Sequence, residues 1–246
     1  FDYRLNPEHP PLVKILAGLP LTFLDLKFPT EEPYWQSEVN GQWASGDQFV
    51  YGGDNNAHTV IQWARLGPML LTILLAFFVY WWSKELMGRW WALLPTILFA
   101  FSPTVLEHGH FVTTDIGAAL GVFISIYYFI KARTNPSTKN LAIAGIAFGI
   151  AQLLKFSAVI IVLYLIILTG VFFLADLYSK WREPGNKTKK IWVGFLKHAK
   201  GLTIIFVISI LVVYPLYFIT TINYPPEKQR SDTEFILSSF ANGPTP

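Results

Sequence analysis

The stretch LAIAGIAFGIAQLLKFSAVIIVLYLIILTGVFFLA, residues 141–175, carries a single charged residue, Lys155. Fifteen uncharged residues separate Lys139 from Lys155, and twenty separate Lys155 from Asp176. A helix that crosses the hydrocarbon core needs about 20 mostly apolar residues, with about 17 as a lower bound. The second interval meets this outright. The first falls short, so one of its flanking charges sits inside the interface.

Working outward, the other charge-free intervals are Arg65–Lys84 with 18 residues, Arg89–Glu107 with 17, Asp115–Lys131 with 15 and Lys200–Glu227 with 26. The pattern predicts six spans and an all-α, polytopic membrane protein. Composition agrees: only 14% of residues are charged and 16% are aromatic, whereas soluble domains carry about 25% charged residues. The sequence has no Cys, which removes thiolate chemistry and disulfides from consideration. No internal repeat and no low-complexity tract is visible.

Lys and Arg in the loops set the direction. Loops 84–89, 131–139 and 176–200 hold 12 of the 19 basic residues, leaving seven for the rest of the chain. The basic loops are therefore expected in the cytoplasm. Segment 1–65, the turn 107–115, Lys155 and the tail 227–246 are expected outside. The expected layout is an outer-face loop with an interfacial helix (1–65), a six-helix transmembrane domain (66–226) and a truncated outer-face tail (227–246). Within the first segment, Pro20 and Asp25 interrupt the apolar run, which therefore reads as a helix lying in the interface. Residues 29–58 read as a folded, irregular loop, and 187–200 as a basic loop with an interfacial helix.

Direction also separates the two short spans. Lys131 and Lys139 flank the polar loop KARTNPSTK and can extend to the surface. Asp115 and Lys155 have no such loop. A charge left in the membrane costs ~2.5–3.5 kcal/mol on insertion scales unless it is paired or faces a wet cavity. Two opposite charges at the same level predict an outward polar cavity.

Three outward clusters carry candidate chemistry. The first is RLNPEHPPLVK (4–14), with Glu8, His9 and Lys14 around two prolines that fix the backbone. Its structural alternative is a helix start, with Pro in the first turn and a carboxylate near the positive end. The second holds Glu107, His108, His110 and Asp115. Two histidines at i, i+2 beside carboxylates suit a metal site, but a solvated turn with Asp115 as a cap explains Glu107 more simply. The third is Lys155, either an interfacial lysine or an anion ligand. Walker, Rossmann, HExxH and nucleophile-elbow motifs are absent, and nothing in the pattern points to nucleic acid.

The segments NPEHPPLVKILAGLPL, FSPTVLEHGHFVTTD and GIAFGIAQLLKFSA, in this order, resemble the family-39 type of membrane glycosyltransferases. These are similar to dolichyl-phosphate-mannose protein mannosyltransferases and, more distantly, to bacterial aminoarabinose transferases. The resemblance covers about residues 1–180. It implies a GT-C-like helical bundle and inverting transfer of a sugar from a polyprenyl-phosphate donor to an acceptor hydroxyl. The acceptor is a protein, lipid or glycan, and the site lies on the outer face of an integral membrane protein of the cell membrane. It implies that Glu8 and Asp115 are catalytic, and that His9, Lys14, His108, His110 and Lys155 bind substrate. The family pattern places an acidic residue after a first transmembrane helix, which is expected upstream of this sequence; Asp2 does not match it. No cofactor and no metal are assigned, since phosphate leaves once its charge is met, although a divalent ion stays open. The competing readings are a transporter or flippase-like protein binding a charged solute, and a non-catalytic membrane subunit.

Overall fold

The computed structural model describes residues 4–5, 9–39 and 41–242, and every regular element among them is helical. The chain folds as two compact units, Phe1–Gly67 with Pro215–Pro246, and Pro68–Tyr214. In order, the helices are α1 (Pro11–Gly18), α2 (Pro33–Gln36), α3 (Gln42–Tyr51), α4 (Ala57–Ala64), α5 (Leu66–Met87) and α6 (Leu93–Ala100). They continue as α7 (Pro103–His108), α8 (Asp115–Thr134), α9 (Thr138–Leu154), α10 (Ile160–Lys180), α11 (Lys187–Thr221) and α12 (Pro226–Asn242).

The first unit starts with the proline pair. Pro10 takes the N-cap position of α1 and Pro11 its first turn, where a missing N–H costs nothing. Both prolines are buried. A 3-10 turn at Pro20–Phe23 follows. The backbone of Leu16 lies against Gly67, where any Cβ would come within 2.5 Å of it. The segment expected as an irregular loop is largely helical, and its polar residues hold it. Asn56 caps α4 by accepting from the Thr59 N–H at 2.9 Å. Asn55 accepts from Lys27 N and donates to the carbonyls of Lys27 and Phe49. Phe28 packs edge-on to Trp35. The tail from 227 carries the helix α12. Lys228 and Asp232 form a buried ion pair there at 3.0 Å, and Lys228 also donates to Glu38 O at 2.9 Å.

The second unit is built on the antiparallel pair α8 and α9. Its core gathers Phe129, Phe148, Ala151, Ile161, Leu165 and Ile205. Small residues set the spacing. Gly121 lies on Ala151, where an added Cβ would meet the Ala151 Cα at 2.9 Å. Gly145 and Gly149, one turn apart on α9, face Ile205, Ile208, Ser209 and Val212 of α11. In lipid, where tails are as apolar as side chains, such glycines let helices approach closely.

Among the described residues, four helices are long and apolar enough to cross a membrane: Ala57–Met87, Asp115–Thr134, Phe156–Lys180 and Lys187–Thr221. Thr138–Leu154 is a shorter apolar helix of 17 residues. The protein is a multi-pass, all-α membrane protein. The sequence predicts one helix over 90–106; two short ones stand there. Ser102 is extended at φ −64, ψ 127, because Pro103 disfavours a helical residue before it. The separate interfacial helix and span expected over 187–226 are one helix of 35 residues, with Pro215 inside it. Its first turns are basic and extend past the apolar part, so charge there does not oblige a break.

Candidate functional site

Asp115 and Lys155, the two charges that the sequence leaves without a loop, form an ion pair. Lys155 Nζ lies 2.7 Å from Asp115 Oδ1. The close approach of Gly121 to Ala151 explains why they meet. Asp115 lies six residues before one contact point and Lys155 four residues after the other, on antiparallel helices.

Each charge is also held locally. Thr114 is the N-cap of α8 and Asp115 its first helical residue, so the carboxylate faces the positive end of the helix. Thr114, not Asp115, thus takes the N-cap position, and its side chain makes no capping hydrogen bond. Lys155 stands between α9 and a 3-10 turn at Phe156–Val159, with extended backbone at φ −156, ψ 139. Gln152 Nε2 donates to Ala158 O at 3.0 Å across this break. The helix thus stops at Lys155 without leaving that carbonyl unpaired.

The pair is not sealed. The Lys155 side chain is 28% exposed and that of Asp115 52%. This corrects the expectation of two buried charges: they sit at the edge of the helix pair, open to a ligand. Exposed ion pairs contribute only about 0–1 kcal/mol, so stability alone gives weak reason for two charges at this place.

The turn 107–115 lies over the same end of α8. The Thr72 hydroxyl of α5 reaches Gly109 O at 2.8 Å. A Cβ on Gly109 would come 2.4 Å from Val105 O and 3.0 Å from Thr72 Oγ1, so glycine is required. His108 is half-buried and Glu107 exposed. His110 Nδ1 lies 2.8 Å from Leu106 O, and its ring stacks on Phe111 at 4.3 Å. Because a carbonyl only accepts, Nδ1 donates in this contact. Thr113 Oγ1 is buried beside the Asp115 carboxylate. Among the described residues no three His, Asp or Glu side chains converge as a metal site.

Two other candidates belong to the first unit. His9 is exposed just before the proline pair, and Lys14 is half-buried on α1. Glu8 lies outside the described residues. Thr72, Gln152 and Thr113 escape sequence reasoning, because a lone Thr or Gln beside an apolar run gives no spacing signal.

The family model described as dolichyl-phosphate-mannose-protein mannosyltransferase matches residues 3–224. No curated protein and no solved structure matches the chain.

Proposed function

Because the chain belongs to the dolichyl-phosphate-mannose-protein mannosyltransferase family, we propose that Lys155, held by Asp115, receives the phosphate of its polyprenyl-phosphate sugar donor at the outer face of the membrane. Family membership makes the protein a glycosyltransferase that draws its sugar from such a donor, and it displaces the transporter reading. The observation that carries the proposal is the half-exposed ion pair at 2.7 Å, beside the buried Thr113 hydroxyl.

The chemistry is a substitution at the anomeric carbon. The acceptor hydroxyl oxygen forms a bond to that carbon while the bond to the phosphate oxygen breaks, and the configuration inverts. The donor's lipid tail stays in the bilayer and its phosphosugar emerges at the interface, where the pair lies at the ends of α8 and α9. Lys155 offers three donors on a compact charge. It meets the negative charge that grows on the leaving phosphate, and this stabilises the transition state more than the ground state. Asp115 orients the ammonium through Oδ1 and keeps Oδ2 to accept the acceptor's proton. His108 and His110, on the turn over the same end of α8, contribute to donor binding.

Lys155→Met in the full-length protein is expected to lower kcat/KM about 10–100-fold, the worth of a hydrogen bond to a charged group at 1.5–3 kcal/mol. The loss should appear in the donor KM, with the acceptor KM unchanged. Lys155→Arg should recover part of it, since a planar fork replaces a point charge. An unchanged donor KM at full turnover would remove Lys155 from the site.

The side of the membrane is tested separately. The chain lacks Cys, so single cysteines report cleanly. Glu107→Cys and Glu183→Cys occupy exposed positions at opposite ends of the helices. In intact cells or sealed vesicles of known orientation, Glu107→Cys is expected to react with an impermeant maleimide from the outer face, and Glu183→Cys only after permeabilisation. The reverse pattern would place the site inside.

A further inference from the structure

At the end of α10 away from Lys155, a cavity of about 530 Å³ opens between the last turns of α10 and the first turns of α11. Twenty-one residues of α10, or ~32 Å at 1.5 Å per residue, separate it from the 3-10 turn that follows Lys155. That distance is the thickness of a hydrocarbon core, about 30 Å. The cavity and the ion pair therefore belong to opposite membrane surfaces, and the transfer reaction does not use the cavity.

Two kinds of lining meet there. One wall is apolar, built by Phe173, Leu177 and Val193. The rim carries Lys180, Lys189, Lys190 and Lys197 against a single carboxylate, Asp176. Two of the four lysines are committed within the protein. Lys180 pairs with Asp176 at 2.9 Å. Lys190 donates to the carbonyls of Lys180 and Glu183 at 2.9 and 2.7 Å, which ties the end of α10 to α11. Lys197 reaches Asp176 only at 4.0 Å, and among the described residues Lys189 forms no side-chain ion pair. Two ammonium groups thus face the cavity with little neutralisation. Asn186 caps α11 by accepting from Lys189 N at 3.1 Å, so the positive end of a 35-residue helix adds to the same field. A second cavity of about 170 Å³ shares Lys197 and adds Arg133, His198 and Lys200, which extends the basic rim without adding acid.

We propose that this cavity binds the phosphate of an anionic phospholipid, with Lys189 and Lys197 as its ligands and an acyl chain along Phe173, Leu177 and Val193. The composition selects this occupant. A free inorganic anion needs the lysines but has no use for an apolar wall, and a zwitterionic lipid brings its own cation to a rim that is already positive. Basic pockets between helix ends at the membrane surface suit anionic headgroups, each Lys near the surface contributing about 1 kcal/mol. By bridging the ends of α10 and α11, the lipid would hold together two helices that the turn 181–186 links.

The test uses the full-length protein purified in neutral detergent, with bound lipid counted by native mass spectrometry during titration. The probes are dioleoyl phosphatidylglycerol, dioleoyl phosphatidylcholine and inorganic phosphate. The protein is expected to retain phosphatidylglycerol over phosphatidylcholine, and Lys189→Gln/Lys197→Gln to weaken that retention about 30-fold. Lys189→Arg/Lys197→Arg should retain it, and Val193→Trp, which fills the apolar wall and leaves every lysine in place, should lose it. Equal retention of the two lipids, full retention by the double Gln variant, or displacement of phosphatidylglycerol by equimolar inorganic phosphate would each overturn the proposal. The readout is lipid occupancy, so it is independent of whether Lys155 serves transfer.

Discussion

Asp115→Asn in the full-length enzyme is expected to lower kcat/KM for transfer about 10²–10⁴-fold, the usual contribution of a positioned general base. The substitution keeps size and hydrogen-bonding shape, so folding should survive. It removes both services assigned to the carboxylate: accepting the acceptor's proton and holding Lys155 at 2.7 Å. The two services separate in their readouts. A general base must be ionised to work, so wild-type kcat/KM falls as pH drops through its pKa, and Asn should abolish that limb. If Asp115 only positions Lys155, the limb persists, the donor KM rises and kcat changes little. Adding Lys155→Met divides the outcomes further. Coupled residues give a double variant little worse than the worse single one. Wild-type kcat/KM and an unchanged pH profile in Asp115→Asn would take the pair out of the mechanism and leave the acceptor's base to be sought at Glu8.

How much of this is legible in the sequence follows from what charge does in an apolar chain. Lys155 and Asp115 stand out because nothing near them is polar and no loop can carry them to water. Their pairing is a consequence of helix spacing, since two antiparallel helices of matched length bring both short ends to one level. What holds the pair is not legible. Thr72 reaches Gly109 across 37 positions of sequence, and Gln152 acts on a break that no Pro or Gly announces. Two misreadings did carry signals. Ser102-Pro103 marks the division of 90–106, since the residue before proline avoids helix. Asn56 with Thr59 marks the start of α4, as a side-chain acceptor three residues before the N–H it serves. The first was hidden by counting uncharged residues, because an apolar run measures what the lipid tolerates rather than where a helix stops; the second by a composition rich in Gly, Asp and Asn, which reads as loop. The fused helix α11 shows the converse. Lys187, Lys189 and Lys190 end the apolar pattern but not the backbone hydrogen bonds.

The packing of α9 on α11 gives the largest expected change in stability. Gly145→Leu should destabilise the protein by about 3 kcal/mol or more, at or beyond the upper end of ordinary overpacking. Even the first added atom has no room. A Cβ at Gly145 would lie 2.7 Å from the Cβ of Ile208 and 2.9 Å from the carbonyl oxygen of Ile205. The second of these is backbone and cannot turn away, so the helices must separate. Separation would strip contacts from Ile205, which is fully buried in the core of the second unit. Alanine makes the argument sharper because it sets two effects of opposite sign against each other. On propensity alone, Gly→Ala within a helix stabilises by about 1 kcal/mol. At Gly145 the clash should win and the variant should unfold earlier. At Gly170 on α10, where a Cβ would meet nothing within 4 Å, propensity should win and the same change should raise the midpoint. Thermal unfolding in detergent, followed by the fluorescence of the nine tryptophans, reads both signs in one assay. Equal shifts at the two positions would mean that Gly145 is not a contact glycine and that α9 and α11 are held apart by larger side chains.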